Sequence, residues 1–237
     1  MINNLKAIVF KVKDFKEKDK LLQAFSLEYG LIDILVKNVK SNNSKVKWLC
    51  QPFCFAEVKL SELGNYYLLT SANLIDNFYD ICLDIDKLYL LSNLILIIEK
   101  ILPAKEPNPI LFLNLIKVLK FVNYDSMDYK IVYIKFLLDL LNNLGYQFNL
   151  DFCAECKNAF LNDRYLNINN GEIVCKNCCN VYDLKISNKV YNYIHILNNT
   201  EFECLLTVKI DVKTLEELCL FLESYFKIFY NVNFIKY

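Results

Sequence analysis

A chain of 237 residues, 55% hydrophobic and 23% charged, has the composition of a folded protein with room for one large or two small domains, which excludes disorder as its main state. Its 27 basic and 27 acidic side chains cancel, so any surface for nucleic acid has to come from segregated charge. Four isolated glycines and one histidine exclude the glycine-rich phosphate loops and the two-histidine helical zinc motif of metalloproteases, and leave a catalytic triad possible only through His195.

Residues 1–80 read as a β unit. Leu5 to Val12 is a β-branched run, Leu31 to Lys37 is an apolar strand after a turn at Gly30, Phe53 to Leu60 alternates with Cys54, Ala56, Val58 and Leu60 on one face, and Tyr66 to Thr70 follows a Gly64-Asn65 turn. Lys20 to Ser26 is ambiguous, because Leu21, Leu22 and Phe25 also fit a helical stripe; as a strand it makes the count five. Five short strands in this length suit a small closed barrel of the OB type, whose faces and loops often hold single-stranded nucleic acid. Lysines 6, 11 and 13 interrupt the first apolar stretch, so the N-terminus reads as mature structure and not as a secretory leader.

After residue 80 the period becomes helical. Leu88 to Leu102 is too short and too polar to cross a bilayer and reads as a buried helix ending at Pro103. A proline-rich connector leads to a helix from about Ile110 to Val122 and another from about Asp128, a plausible N-cap, to Leu144, stopped by Gly145. Farther on, Ser187 opens a helix, and Thr214 to Glu217 reads as a capping box ahead of a helix to about Tyr230. The fold class expected is α+β: an OB barrel over 1–80, then a helical domain over 81–237 with a metal module at about 150–182.

That module rests on cysteine spacing. Five of the ten cysteines lie between residues 153 and 179, and Cys153-Ala154-Glu155-Cys156 is separated from Cys175-Lys176-Asn177-Cys178 by 18 residues. Two such knuckles with a loop that can fold back are a strong zinc signal, with free or redox thiols as the weaker reading. Four thiolates would leave no open position for water, so the metal would be structural. Cys179 could replace Cys178 as fourth ligand. Cys50, Cys54, Cys82, Cys204 and Cys219 sit in apolar runs and read as small core residues.

Residues 1–50 hold ten lysines and five acids, a net of about +5. The loop from Lys37 to Trp48 places Lys37, Lys40, Lys45 and Lys47 among polar residues and ends in the only tryptophan. Such a run can track a phosphate backbone, with Trp48 stacking a base; the plainer alternative is a solvated loop with Trp48 tucked into the barrel. With 26 lysines against one arginine, Arg164, bidentate reading of guanine is scarcely available and sequence-independent binding is expected. The lysine bias itself follows from AT-rich codons and is no sign of function alone. His195 reads as a structural or surface helix residue, and no group qualifies as catalytic, so a non-enzymatic protein is expected.

Several segments resemble the RecO family of bacterial recombinational repair proteins, over nearly the full length. Ala7 to Phe10, Glu17 to Leu22 and Phe25 to Gly30 are similar to its opening strands and hairpin; Lys37 to Lys40 and Leu49-Cys50-Gln51-Pro52-Phe53 fall on its basic step and its LQPF motif; Leu137 to Cys156 is like its helix, glycine and first knuckle, and Gly171 to Cys175 its entry to the second. Asn38 and Lys157 stand where the family has glycine, so both are expected in a left-handed backbone conformation. The resemblance implies a mediator that binds single- and double-stranded DNA and anneals complementary strands. With RecR, it implies help for RecA to load on DNA coated by single-stranded-DNA-binding protein, whose acidic-hydrophobic tail docks on the helical domain. A cytoplasmic, nucleoid-associated protein with no membrane partner is expected. An RNA-binding OB/zinc-ribbon module of the translation or transcription machinery is the alternative, and a zinc-dependent nucleic-acid enzyme is disfavoured by the closed four-thiolate site.

Overall fold

The computed structural model describes residues 2–125, 127–146, 148–161 and 163–235; Gln147, within the helix-to-knuckle segment quoted above, lies outside them. By contact density the chain divides into Met1–Asp125 and Ser126–Tyr237. Among the described residues no helix is long and apolar enough to cross a membrane.

The first unit is built on five strands: β1 (Ile2–Phe15), β2 (Asp19–Ser26), β3 (Gly30–Val36), β4 (Phe55–Leu63) and β5 (Tyr66–Asp76). They close into a barrel in the order β1-β2-β3-β5-β4, antiparallel except for the β3–β5 seam. The ambiguous segment is β2, paired with β3 from Lys20↔Val36 to Ser26↔Gly30. Its period was obscured because both faces are buried: Leu22 and Ala24 point into the barrel with Ala7, Val9, Ile34, Cys54, Ala56 and Val58, while Phe25 meets Phe10 and Phe112 outside it.

Three helices, α1 (Tyr79–Leu83), α2 (Ile85–Ile101) and α3 (Pro109–Tyr124), complete this unit. α2 begins three residues earlier than the apolar run suggests, because the Asp84 carboxylate accepts from the Asp86 and Lys87 amides. α3 is capped by Asn108 with Pro109 in its first turn, the position where proline's missing N–H costs nothing. The connector between α2 and α3 fills a gap in the sheet. β3 and β5 pair only at Ile34↔Tyr67 and Leu35↔Leu68, and beyond that point Ala104 bridges Leu31 while the Lys105 amide donates to the Leu31 carbonyl at 3.1 Å.

The second unit packs α4 (Tyr129–Asn143), α5 (Asn188–Asn198) and α6 (Val212–Tyr230) around Tyr133, Phe136, Ile194, Leu218, Leu222 and Phe226. Between α4 and α5 lies a small antiparallel sheet, β7-β6-β8, formed by β6 (Arg164–Leu166), β7 (Ile173–Cys175) and β8 (Leu184–Ile186). Asp128 caps α4 and Gly145 follows it at φ +81°, as the sequence suggested. The capping box at Thr214 is corrected: α6 starts at Val212, its cap is Asp211, and Thr214 is a buried third-position residue whose amide and hydroxyl both donate to the Asp211 carboxylate, at 3.0 and 2.9 Å. Cys204 is corrected too. It is exposed on a 3-10 turn, Phe202–Thr207, where the inward positions go to Phe202 and Leu205.

Candidate metal centre and nucleic-acid interface

Two tight turns carry the four thiols, and the sheet brings the turns together. In the first, the Lys157 amide donates to the Cys153 carbonyl at 3.0 Å and the Cys153 amide to the Asn158 carbonyl at 2.9 Å. The turn needs a left-handed residue, and Lys157 supplies it at φ +60°. β6 then pairs with β7 so that Arg164 faces Cys175, and the Ala154 amide donates to the Ile173 carbonyl at 2.9 Å. At the end of β7, the Cys178 and Cys179 amides both donate to the Cys175 carbonyl.

The sulfurs of Cys153, Cys156, Cys175 and Cys178 all lie within 4.8 Å of one another, with Cys156 and Cys175 at 3.9 Å. A tetrahedron of thiolates about 2.3 Å from zinc has edges of about 3.8 Å, so the four could hold a tetrahedral metal ion. Cys179 turns away and its thiol donates to the Lys176 carbonyl at 3.2 Å. Burial pushes the Cys153 thiol up, but the amides of Cys156, Cys175 and Glu155 aimed at its sulfur prevail and bring it down to about 6. Cys178 is pushed up to about 12, first by its hydrogen bond with Cys175 and then by burial. A bound metal ion would need all four as thiolates, and Cys153 is the corner whose surrounding amides already favour that form.

Arg164 holds this module, and the sequence reading noted it only as the lone arginine. Buried to 8% exposure, it donates from Nε to the Leu150 carbonyl at 3.1 Å and from Nη1 to Asn188 Oδ1 at 3.2 Å, and lies 3.6 Å from the centroid of the Tyr191 ring. One arginine among 26 lysines was the available signal.

The lysine loop lies at the other candidate site. It is anchored by two residues in the barrel core, Val39 and Leu49, so Lys37, Lys40, Lys45 and Lys47 face outward and are exposed. Trp48, in a 3-10 turn Lys47–Leu49, is half-buried against the core. The loop is stitched to the β1–β2 turn: the Asn38 amide, at φ +53°, donates to Asp19 Oδ1 at 2.8 Å, and the Lys40 amide donates to the Lys18 carbonyl at 3.1 Å. This brings exposed Lys16 and Lys18 beside the loop, two cations that strand-by-strand reading does not associate with it. It also brings Asp14, whose carboxylate takes Lys40 Nζ at 3.0 Å and is held below the usual carboxylate range by that hydrogen bond.

Two family models match the chain, the one described as Recombination protein O N terminal over residues 1–78 and the one described as Recombination protein O C terminal over residues 82–229. Curated relatives include the DNA repair protein RecO of Clostridium perfringens (strain 13 / Type A), 30% identical over 196 residues, covering 83% of this chain and 80% of that protein. That of Clostridium novyi (strain NT) is 30% identical over 213 residues, covering 90% and 83%. That of Caldanaerobacter subterraneus subsp. tengcongensis is 28% identical over 230 residues, covering 96% and 93%.

Proposed function

The chain belongs to the RecO family, and from that premise we propose that it is a DNA-repair mediator that captures single- and double-stranded DNA on the barrel, anneals complementary strands and, with RecR, helps RecA load on DNA coated by single-stranded-DNA-binding protein. The observation that carries the DNA-binding step is the lysine loop: four exposed ammonium groups on a segment pinned by Val39 and Leu49. A pinned loop loses little conformational entropy on binding, so the Coulombic gain is kept. Lysines act as point charges toward phosphate and do not read base edges, which makes binding independent of sequence. The exposed part of Trp48 offers a base one stacking face. Lys40 has to leave Asp14 to reach a phosphate, so it contributes least of the four.

Zinc fits the four-sulfur cluster. Held by Cys153, Cys156, Cys175 and Cys178, it would supply folding energy to the module that Arg164 fastens to α5, and the filled thiolate shell leaves it no Lewis-acid role. The helical unit would dock the acidic tail of the coating protein.

Binding of a fluorescent single-stranded oligonucleotide against salt tests the reading. Four neutralised phosphates give a slope of log K against log salt of about −3, and replacing Lys37, Lys40, Lys45 and Lys47 by alanine removes most of it. Faster annealing of strands precoated with the cognate single-stranded-DNA-binding protein completes the case. Salt-insensitive binding, or full affinity in the four-alanine variant, would refute the loop's role; preference for RNA over DNA of equal sequence would move the protein to the RNA-binding class.

A further inference from the structure

Structural cysteines owe their inertness to burial, and one corner of the four-sulfur cluster is not buried. Cys153 is fully covered, and its sulfur accepts from the Cys175 amide at 3.3 Å. Cys156 is exposed. Together with Cys175, Cys178 and Lys176 it lines an open cavity of about 450 Å³, so a small solute can reach its sulfur from solvent. Cys175 Sγ stands 3.9 Å away, on the other knuckle and 19 residues along the chain. An accessible sulfur with a second sulfur in reach is the arrangement of a redox-sensitive thiol pair: one is attacked and the other resolves it.

We propose that Cys156 and Cys175 are the site at which a peroxide oxidises this module. The proposal rests on the zinc reading above, which makes thiolates of both sulfurs. The Cys156 thiolate attacks one oxygen of hydrogen peroxide; the O–O bond breaks, hydroxide leaves past the Lys176 ammonium at the cavity wall, and Cys156 becomes a sulfenic acid. The Cys175 thiolate then attacks the Cys156 sulfur, the S–OH bond breaks, a second hydroxide leaves and a disulfide joins the two knuckles. Two electrons pass from sulfur to peroxide, so that two thiolates and one peroxide give one disulfide and two hydroxides. Cys153 and Cys178 remain as donors, too few for a tetrahedral site, and the folding energy of coordination is lost with the other two. Reduced, the module closes on its ion; oxidised, it is cross-linked and free of metal, and a dithiol reductant resets it.

Hydrogen peroxide added to the reduced full chain tests this. Released zinc is followed with a chromogenic chelator, and disulfides are mapped by mass spectrometry after the remaining thiols are blocked. One zinc should leave for each Cys156–Cys175 bridge formed, and dithiothreitol with added zinc should restore the starting content. Cys204→Ser removes the other exposed thiol and Cys179→Ser the thiol beside the cluster; both should release zinc as wild type does. Zinc retained after Cys204 is oxidised, a first modification at Cys153, a bridge that leaves out Cys156 or Cys175, or release that needs Cys179 overturns the proposal. A chain that purifies without zinc and takes none up refutes the zinc reading instead. The same mapping then decides the pair in the metal-free chain: a Cys156–Cys175 bridge supports it, and any other bridge overturns it.

Discussion

The seam between β3 and the α2–α3 connector can be tested at one methyl group. Gly30 opens β3 at φ +65°, and a Cβ there would stand 2.1 Å from the Glu106 carbonyl oxygen, 2.6 Å from its carbon and 2.8 Å from its nitrogen. All three are backbone atoms, so no side chain can swing away. The connector cannot slide off cheaply either, because the Lys105 amide is bonded to Leu31 at 3.1 Å and Pro103, Pro107 and Pro109 restrict its backbone. Gly30→Ala therefore combines left-handed strain of about 1–2 kcal/mol with about 1–3 kcal/mol for displacing packed chain. Against this stands about 0.4–1 kcal/mol gained from a stiffer unfolded chain. The expected loss is about 1–4.6 kcal/mol, about 3 at the middle of these ranges. Gly64→Ala is the control: its φ is +58° and nothing lies within 4 Å of the added Cβ, so it has the strain without the clash and should lose about 0–1.6 kcal/mol. Urea unfolding followed by the fluorescence of Trp48, the only tryptophan and packed on the barrel core, reads this unit specifically; a difference of about 2 kcal/mol moves the midpoint by about 1 M. Equal midpoints for the two variants, within about 0.5 kcal/mol, would show that the connector does not lie against β3 as described.

Two further outcomes follow from the second unit. Cys178→Ser should purify with little bound zinc, whereas Cys179→Ser should keep the wild-type content, measured by metal analysis and by release to a chromogenic chelator; equal losses would mean that Cys179 is a ligand. The Asp211 carboxyl is held down to about 2 by the Thr214 amide and hydroxyl and by Lys189, so its contribution is present above its unfolded value of about 4 and is lost as pH falls through about 2. Asp211→Asn keeps a capping oxygen without that titration, so loss of far-UV circular dichroism between about pH 4 and 2 should be shallower than in wild type; superimposable acid titrations would exclude the cap from acid unfolding.

What could be read from the chain depended on how local the physics was. β3 and β4 were readable because their turns and apolar patterns lie within or beside the strand, and the four-cysteine spacing because each knuckle closes over four residues. The left-handed residues Asn38 and Lys157 were readable from family glycines at those positions, and both adopt positive φ. β2 was legible only as one of two readings, helix or strand, because Phe25 on its outer face is covered by Phe112, from a helix more than eighty residues away; the strand reading, which makes the barrel five-stranded, is the one the fold takes. The choice between Cys178 and Cys179 was not readable either: both amides bond the same Cys175 carbonyl, and only the direction of the chain after that turn decides which sulfur faces inward. Lys16 and Lys18 join the lysine loop through the Lys18 carbonyl and Asp19, contacts that no single segment encodes. The cap of α6 was misread by three residues because Thr214 and Asp211 both look like caps; the carboxylate, with two acceptor oxygens, satisfies both donors of Thr214 at once.

The distribution of cations follows from the chemistry each position demands. On the barrel surface the proposed task of a cation is to meet a mobile phosphate, for which a hydrated ammonium on a flexible stem suffices at any sequence. At the base of the metal module the demand differs. One side chain joins the segment before Cys153, the strand β6 and the start of α5, donating in two directions in one plane while its face lies against Tyr191. A lysine there would have to bury a strongly hydrated point charge and could not stack as a plane. Arg164 stands where the geometry asks for a planar group that donates in two directions and stacks on a ring, which the 26 lysines of the chain cannot do.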